Sequence, residues 1–202
     1  MATFQAIAVT GNTIRNLLAE ASPRDVFPGA EFKLCQTTNL VSPPFTDLGV
    51  SIFLHRVSYN MTRRNLPPRI QLNGERFKPS VPLDLHFIIT AWAKTAEKQW
   101  ELLAWAIRTI EDNPVLPAGL LNQNAGSDPA GRPWNVFGED ESVELVGETL
   151  SLQDVVNIWE IARHNQQPSV SIVARSVLID SLVEMPLGKP VQTRTFDQAM
   201  LQ

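Results

Sequence analysis

Cys35 and the three histidines, His55, His86 and His164, are the residues from which a nucleophilic site would have to be built. A thiol beside an imidazole is an activated nucleophile, and a Cys35–histidine pair would be the catalytic centre of a group-transfer enzyme. His55 and His86 fall on predicted strands that can be neighbours, so the geometry is allowed. The simpler reading is that a lone strand cysteine is a small core residue and that strand histidines only hydrogen-bond. One cysteine excludes an internal disulfide and an all-cysteine zinc site, and no two histidines have metal-ligand spacing. Gly-rich phosphate loops, G-x-S-x-G, His-Glu-x-x-His and Cys-x-x-Cys are all missing. Gly126 and Gly131 stand in a Pro-rich loop rather than between a strand and a helix. No residue is therefore assigned to catalysis, a cofactor or a metal, and the expectation is a protein that is not an enzyme.

Charge placement says more. Arg63, Arg64, Arg69, Arg76 and Lys78 cluster against Glu75 alone, whereas Glu139, Asp140, Glu141, Glu144 and Glu148 have no basic residue among them. One reading is two solvated surfaces that never meet. The other is a head-to-tail contact, in which the basic segment of one subunit reaches the acidic segment of the next, a type of contact that closes into rings. Among the five tryptophans, Trp100, Trp105 and Trp159 lie on predicted helices with apolar neighbours and read as core. Trp92, on the otherwise polar face of its strand, and Trp134, in a loop, are candidates for an interface, although a helix over the sheet would bury Trp92 equally well.

These residues must be carried by elements that 202 residues can build. Hydrophobic residues at 44% and charged residues at 19% support one globular core, here assigned to residues 1–185 with a polar tail at 186–202. A net charge of −4 lacks the basic excess of a protein that coats nucleic acid. No apolar run reaches the ~18 residues of a membrane helix, and Thr10, Gly11, Asn12, Thr13 and Arg15 interrupt any secretory signal. A soluble, cytoplasmic protein is expected.

Periodicity predicts a helix over residues 7–20, with Ile7, Ile14, Leu17, Leu18 and Ala21 inward and Ser22-Pro23 as the stop. A strand follows at 31–37, with Phe32, Leu34 and Cys35 packing in. Residues 48–59 read as a strand apolar on both faces, and 81–93 as a strictly alternating one. Between them, residues 60–80 read as a hairpin arm projecting from the sheet edge, with Asn73-Gly74 as a type I′ turn. A helix is expected over 96–112, with Trp100, Leu103, Ala104, Ile107 and Ile110 buried. Residues 113–141 read as loop and 143–149 as a strand. Ser151 to Asp154 resembles a capping box; it opens a helix with Leu152, Val155, Val156, Trp159 and Ala162 on one face. A last strand spans 170–182. The order implies an α+β domain: a mixed, largely antiparallel sheet flanked by helices, with a projecting β-hairpin arm.

Three segments in this order resemble one family. They are Pro82-Leu-Asp-Leu-His-Phe-Ile-Ile-Thr-Ala-Trp92 with the following Glu97/Glu101/Leu103 helix; Asn113-Pro-Val-Leu116; and Leu150-Ser-Leu-Gln-Asp154 with Trp159 and the run Ser169-Val-Ser-Ile-Val-Ala-Arg175-Ser-Val-Leu-Ile-Asp180-Ser181. All three are fold markers, and none is catalytic. The chain resembles the baseplate-distal cap, or tail terminator, of extracellular contractile injection systems, from its N-terminal helix through Ser181. The resemblance implies a tail-terminator-like fold and a homohexameric ring on the last ring of inner tube and sheath. Such a ring ends their polymerisation and holds sheath to tube. It further implies tube and sheath proteins as partners, no cofactor, no nucleic acid, no membrane, assembly in the cytoplasm and a place at the distal end of the particle. On this reading Arg63, Arg64, Arg69, Arg76, Lys78, Glu139, Asp140, Glu141, Glu144, Trp92 and Trp134 are the candidate contacts with neighbouring subunits or sheath. Many family members carry a further C-terminal region, beyond Gln202. The competing readings are a phage or prophage head–tail connector or minor tail protein, a Cys/His enzyme, and a monomeric adaptor domain.

Overall fold

The computed structural model describes residues 4–42, 45, 47–71, 73–160 and 165–186. Helix α1 (Ala6–Ala21) leads into strand β1 (Glu31–Cys35), a short helix α2 (Thr37–Val41) and the long strand β2 (Leu48–Tyr59). A single 3-10 turn and two two-residue strands, β3 (Arg69–Ile70) and β4 (Arg76–Phe77), form the arm. Strand β5 (Val81–Ala93), helix α3 (Ala96–Glu111), strand β6 (Val115–Pro117) and helix α4 (Ala118–Gln123) follow. Strand β7 (Ser142–Glu148), helix α5 (Leu152–Glu160) and strand β8 (Ser169–Ile179) complete the described chain.

Six strands make one sheet in the order β1-β2-β5-β8-β7-β6. Every pairing in it is antiparallel except β1 with β2, which run parallel from Glu31↔Gly49 to Cys35↔Phe53. The mixed, largely antiparallel α+β architecture expected from the sequence is therefore the one observed. Odd-numbered residues of β5 (Leu85, Phe87, Ile89) face α1, α3 and α4 and form the main core with Ile14, Leu102 and Leu121. The opposite face is covered in part by α2 and α5, where Leu40 and Trp159 pack with Phe53 and Val155.

Local chemistry explains how polar residues enter this core. Thr10 and Thr13 are fully buried on α1 because their hydroxyls donate back to the carbonyls of Ala6 and Val9, 2.8 Å in each case. The helix ends at Ser22, which Pro23 holds in extended backbone. Ile7 and Leu17 are only half-buried and Ala21 is exposed, so the inward stripe runs through Ala6, Val9, Ile14 and Leu18 instead.

Several expectations need correcting. The 113–141 segment is not all loop, since β6 and α4 lie within it. It is pinned by Asn122, whose side chain accepts from the Val136 and Phe137 amides and donates to the Phe137 carbonyl, each at 2.9 Å. On β1, Leu34 points to a partly exposed site rather than the core. The outer half of β2 is not covered on both faces: β1 stops opposite Phe53, and Val57 and Tyr59 are exposed. On α3 the buried residues are Gln99, Leu102, Ala106, Thr109 and Ile110, whereas Trp100, Ala104 and Ile107 are exposed. On α5 only Trp159 is buried, and Leu152 and Val156 are exposed. Ser151 caps that helix by accepting from the Asp154 amide (3.1 Å), but its hydroxyl also donates to the Asp154 carboxylate (2.6 Å) in place of the reciprocal half of a capping box. Ala162 lies outside the described residues.

In the arm the positive φ falls on Gly74 alone, not on both residues of Asn73-Gly74, so the turn is not type I′. The Gly74 amide donates to the Gln71 carbonyl and the Gln71 amide to the Glu75 carbonyl, which makes a wider loop. The base of the arm is tied to the segment after β8. Asp180 pairs with Arg69 and accepts from Ser80 (2.6 Å), while backbone bonds join Lys78 to Val183 and Met185 to Arg76.

Candidate functional site

Cys35 is buried, its Sγ donates to the Lys33 carbonyl (3.7 Å), and burial pushes its thiol up to about 11 despite the nearby Lys33 charge. Such a thiol is protonated at neutral pH and is a poor nucleophile. Among the described residues no hydrogen bond joins it to a histidine, and His164 lies outside them. His55 and His86 are neighbours, as their strands allow, with rings edge-to-face at 6.0 Å. Burial first, and then the charges of Arg56 and His86, lower the pKa of His55, with Glu148 and Asp154 opposing.

A cluster that sequence reasoning missed surrounds His86. Ser58 Oγ lies 2.9 Å from His86 Nε2, and His86 Nδ1 lies 3.0 Å from Glu148 Oε2. Glu148 also accepts from Arg56 Nη2 at 2.9 Å and from Ser171 Oγ at 3.0 Å. Burial would raise the Glu148 pKa, but the hydrogen bonds from His86 and Ser171 and the charges of His86 and Arg56 outweigh it and hold the carboxyl below its ordinary value. Hydroxyl, imidazole and carboxylate stand in the order of an acid–base relay. A cleft of about 690 Å³ beside α5 is lined by Glu148 and Ser171 but not by Ser58 or His86. Arg56 and Ser171 divide the carboxylate with the imidazole. What the cluster does is join β2, β5, β8 and β7 across one face of the sheet. The only sequence signal for it was the even-numbered polar set on β5, which shows a polar face but not its partners.

The two charged segments approach each other at one point within the chain. Arg63 lines a cleft of about 210 Å³ together with Asp140, Glu141, Ser142 and Ser176 of the same chain, so the base of the arm and the acidic segment are neighbours within one subunit. The Glu141 carboxylate accepts from the Gly138 amide (2.8 Å), and Glu144 stands opposite Arg175 in the β7–β8 register. Glu139 and Asp140 are exposed. Arg69 is taken by Asp180, whereas Arg63, Arg64, Arg76 and Lys78 are exposed and have no ion-pair partner among the described residues. Trp92 is not a surface residue: it is buried and its indole N–H donates to Ser51 Oγ at 2.8 Å. Trp134 is partly exposed, as expected of a loop. Trp105 packs between Phe27 and Phe32, and Trp159 is buried, but Trp100 is 59% exposed and is an interface candidate that helical periodicity had assigned to the core.

A family model described as the Pvc16 N-terminal domain matches residues 10–193. No curated protein matches the sequence. Two solved structures are similar in fold. One is the sheath/tube terminator of PVC, an extracellular contractile injection system, in its extended state. It has a TM-score of 0.59 and 14% identity, with 97% of this chain and 65% of that chain covered. The other is the anti-feeding prophage cap, a tube-terminating cap, with a TM-score of 0.61 and 10% identity over 93% of this chain and 59% of that one. The chain thus spans slightly under two thirds of the length of either protein.

Proposed function

The chain belongs to the Pvc16 N-terminal domain family, and from that premise we propose that it caps the distal end of a contractile injection system, ending the growth of inner tube and sheath and anchoring one to the other. The observation that carries this reading is the shared fold over nearly the whole chain with two proteins described as terminators of such particles. Its partners are then the inner-tube protein, the sheath protein and further copies of itself in a hexameric ring, assembled in the cytoplasm. Nucleic acid and lipid have no part in that role. No helix of the described residues is long and apolar enough to cross a membrane.

The architecture suits the role physically. A tube or sheath subunit invites the next by presenting unpaired strand edges, and a terminator must withhold them. Here one outer strand, β6, is three residues long and ends in Pro117, which has no N–H to offer. The other, β1, is five residues long and carries Glu31 and Lys33, which pair with each other. Both outer strands are thus short, although β2 runs on past β1 from Leu54 to Tyr59 and leaves that stretch of edge open.

Deleting the gene in its host and measuring particles by electron microscopy tests the proposal. Tubes of uncontrolled length, or sheaths detached from the tube end, are expected. Particles of normal length with a normal distal end would reject it.

A further inference from the structure

Helix α3 has two apolar faces, and its own fold uses one. Leu102, Ala106 and Ile110 are buried in the core. On the outer side, roughly 140° around the helix, Glu97, Trp100, Ala104, Ile107 and Glu111 follow one another at alternating spacings of three and four, and all five are exposed. That spacing draws one straight seam along a helix. A helix apolar on both sides is one that is covered on both sides. Trp100 at 59% exposure is a large aromatic surface of the type that anchors interfaces.

The two ends of the seam limit what covers it. Glu97 and Glu111 have no ion-pair partner among the described residues, in contrast to Glu101, which pairs with Lys98, and Asp112, which pairs with Arg108. Packing α3 antiparallel on α3 of a second copy would set Glu97 against Glu111 at both ends, with like charges in contact. The occupant must instead be apolar in the middle and basic at its ends. Among the described residues the arm has that character. Met61 and Ile70 are exposed at 67% and 60%, and Arg64, Arg76 and Lys78 beside them are unpaired. The arm of the same chain starts from the wrong place. It leaves from the Val81 end of β5, whereas α3 begins beyond the Ala93 end, and thirteen extended residues separate those ends by about 40 Å.

We infer that the outer seam of α3 (Glu97, Trp100, Ala104, Ile107, Glu111) receives the basic arm (Met61, Arg64, Ile70, Arg76, Lys78) of a second copy of this chain. The contact is heterologous, so a succession of copies linked this way closes into a ring. This deepens the cap reading and rests on it: the seam and the arm become the ring's intersubunit joint. It also replaces the acidic segment around Glu141 as the arm's acceptor, since that segment already borders Arg63 of its own chain.

The test uses the full chain. Two differently tagged forms, one with Ile70→Cys and one with Ala104→Cys, are mixed and treated with a short bismaleimide, both as purified protein and on particles isolated from the host. Buried Cys35 contributes little background. Crosslinks between the two tags are expected. In sedimentation, Glu97→Lys with Glu111→Lys, and separately Arg64→Glu with Arg76→Glu and Lys78→Glu, are each expected to weaken self-association about tenfold or more, and combining the two sets is expected to restore it, because like charges brought together are strongly unfavourable. Trp100→Ala provides a second variant that leaves the charges alone and is expected to weaken association similarly. Ala104–Ala104 crosslinks, crosslinks only to another particle protein, or combined reversals no better than single ones would overturn the inference and leave the cap reading standing. Absence of the chain from the particle end would overturn the cap reading itself.

Discussion

Replacing Glu148 with alanine tests whether the His86 cluster holds the sheet together. The carboxylate accepts from Arg56 Nη2 (2.9 Å), His86 Nδ1 (3.0 Å) and Ser171 Oγ (3.0 Å), which stand on β2, β5 and β8. Arg56 is exposed and regains water, so its bond contributes little, about 0–1 kcal/mol. Ser171 is buried, and its donor left without a partner costs about 1–3 kcal/mol, whereas His86 Nδ1 stands 3.1 Å from Arg56 Nη2 and can accept from it instead. The neighbouring cleft admits water to the Glu148–Ser171 side, which offsets part of that. The expected loss for Glu148→Ala is about 1–3 kcal/mol, a fall in melting temperature of roughly 2–12 °C for a domain of this size. Glu148→Gln keeps an acceptor and is expected to lose about half as much. Urea denaturation followed by tryptophan fluorescence measures both, and a Ser171→Ala cycle with Glu148→Ala is expected to be non-additive by more than about 0.5 kcal/mol. A Glu148→Ala loss within about 0.5 kcal/mol of zero, the usual range of a surface change, would refute the reasoning.

The pKa of His55 is lowered in the fold, so below pH 6.5, its ordinary value, the unfolded chain takes up the proton more readily and stability falls as pH drops toward the folded value. His55→Phe, which keeps the ring against His86, is expected to flatten that decline in denaturation curves between pH 5 and 7, leaving the later loss below pH 4.5, where the unfolded chain takes up the Glu148 proton more readily than the folded one. Cys35, with its thiol near 11, is expected to react with a soluble disulfide reagent at pH 7.5 only at the rate of unfolding, and rapid stoichiometric labelling of folded protein would contradict its burial. Leu102→Ala, at a fully buried position, is expected to cost about 2–5 kcal/mol of folding stability. Trp100→Ala is expected to cost the isolated chain less than about 1 kcal/mol; a reversed order would show that the faces of α3 are assigned wrongly.

Much of the fold was legible because strand alternation and helix stops are local. Val81 to Ala93 alternates so strictly that its ends and its inward face follow, and Thr95 and Pro114 bound α3 by their own chemistry. The residues that failed depend on distant partners. Nothing in Val115-Leu116-Pro117 marks a strand until β7 lies beside it. Nothing in Asn122 shows that it will pin Val136 and Phe137, fourteen and fifteen residues on. The outer half of β2 reads as covered because Val57 and Tyr59 are apolar, yet the strand that would cover its edge stops at Cys35. The His86 cluster was invisible for the same reason: its members come from four strands, with bonded partners up to 92 residues apart in sequence, and alternation places them on a face without saying which meet.

The misreading of α3 has a different cause, and it bears on function. Periodicity detects apolar residues at helical spacing and does not distinguish a face buried by the chain itself from one buried by a neighbour. Trp100, Leu103, Ala104 and Ile107 gave as strong a signal as Leu102, Ala106 and Ile110 because both sets are apolar, and only folding shows which the subunit consumes. The hydrophobic effect is indifferent to whose atoms exclude the water, so a subunit made to be built into a larger body carries more apolar faces than its own core can use. The surplus face here is closed at both ends by carboxylates, and the arm at the other end of the long strand carries the excess of unpaired cations. Charges of opposite sign at opposite ends of one subunit favour head-to-tail contact over face-to-face pairing. A head-to-tail contact that turns through a fixed angle closes and leaves no free end within the ring.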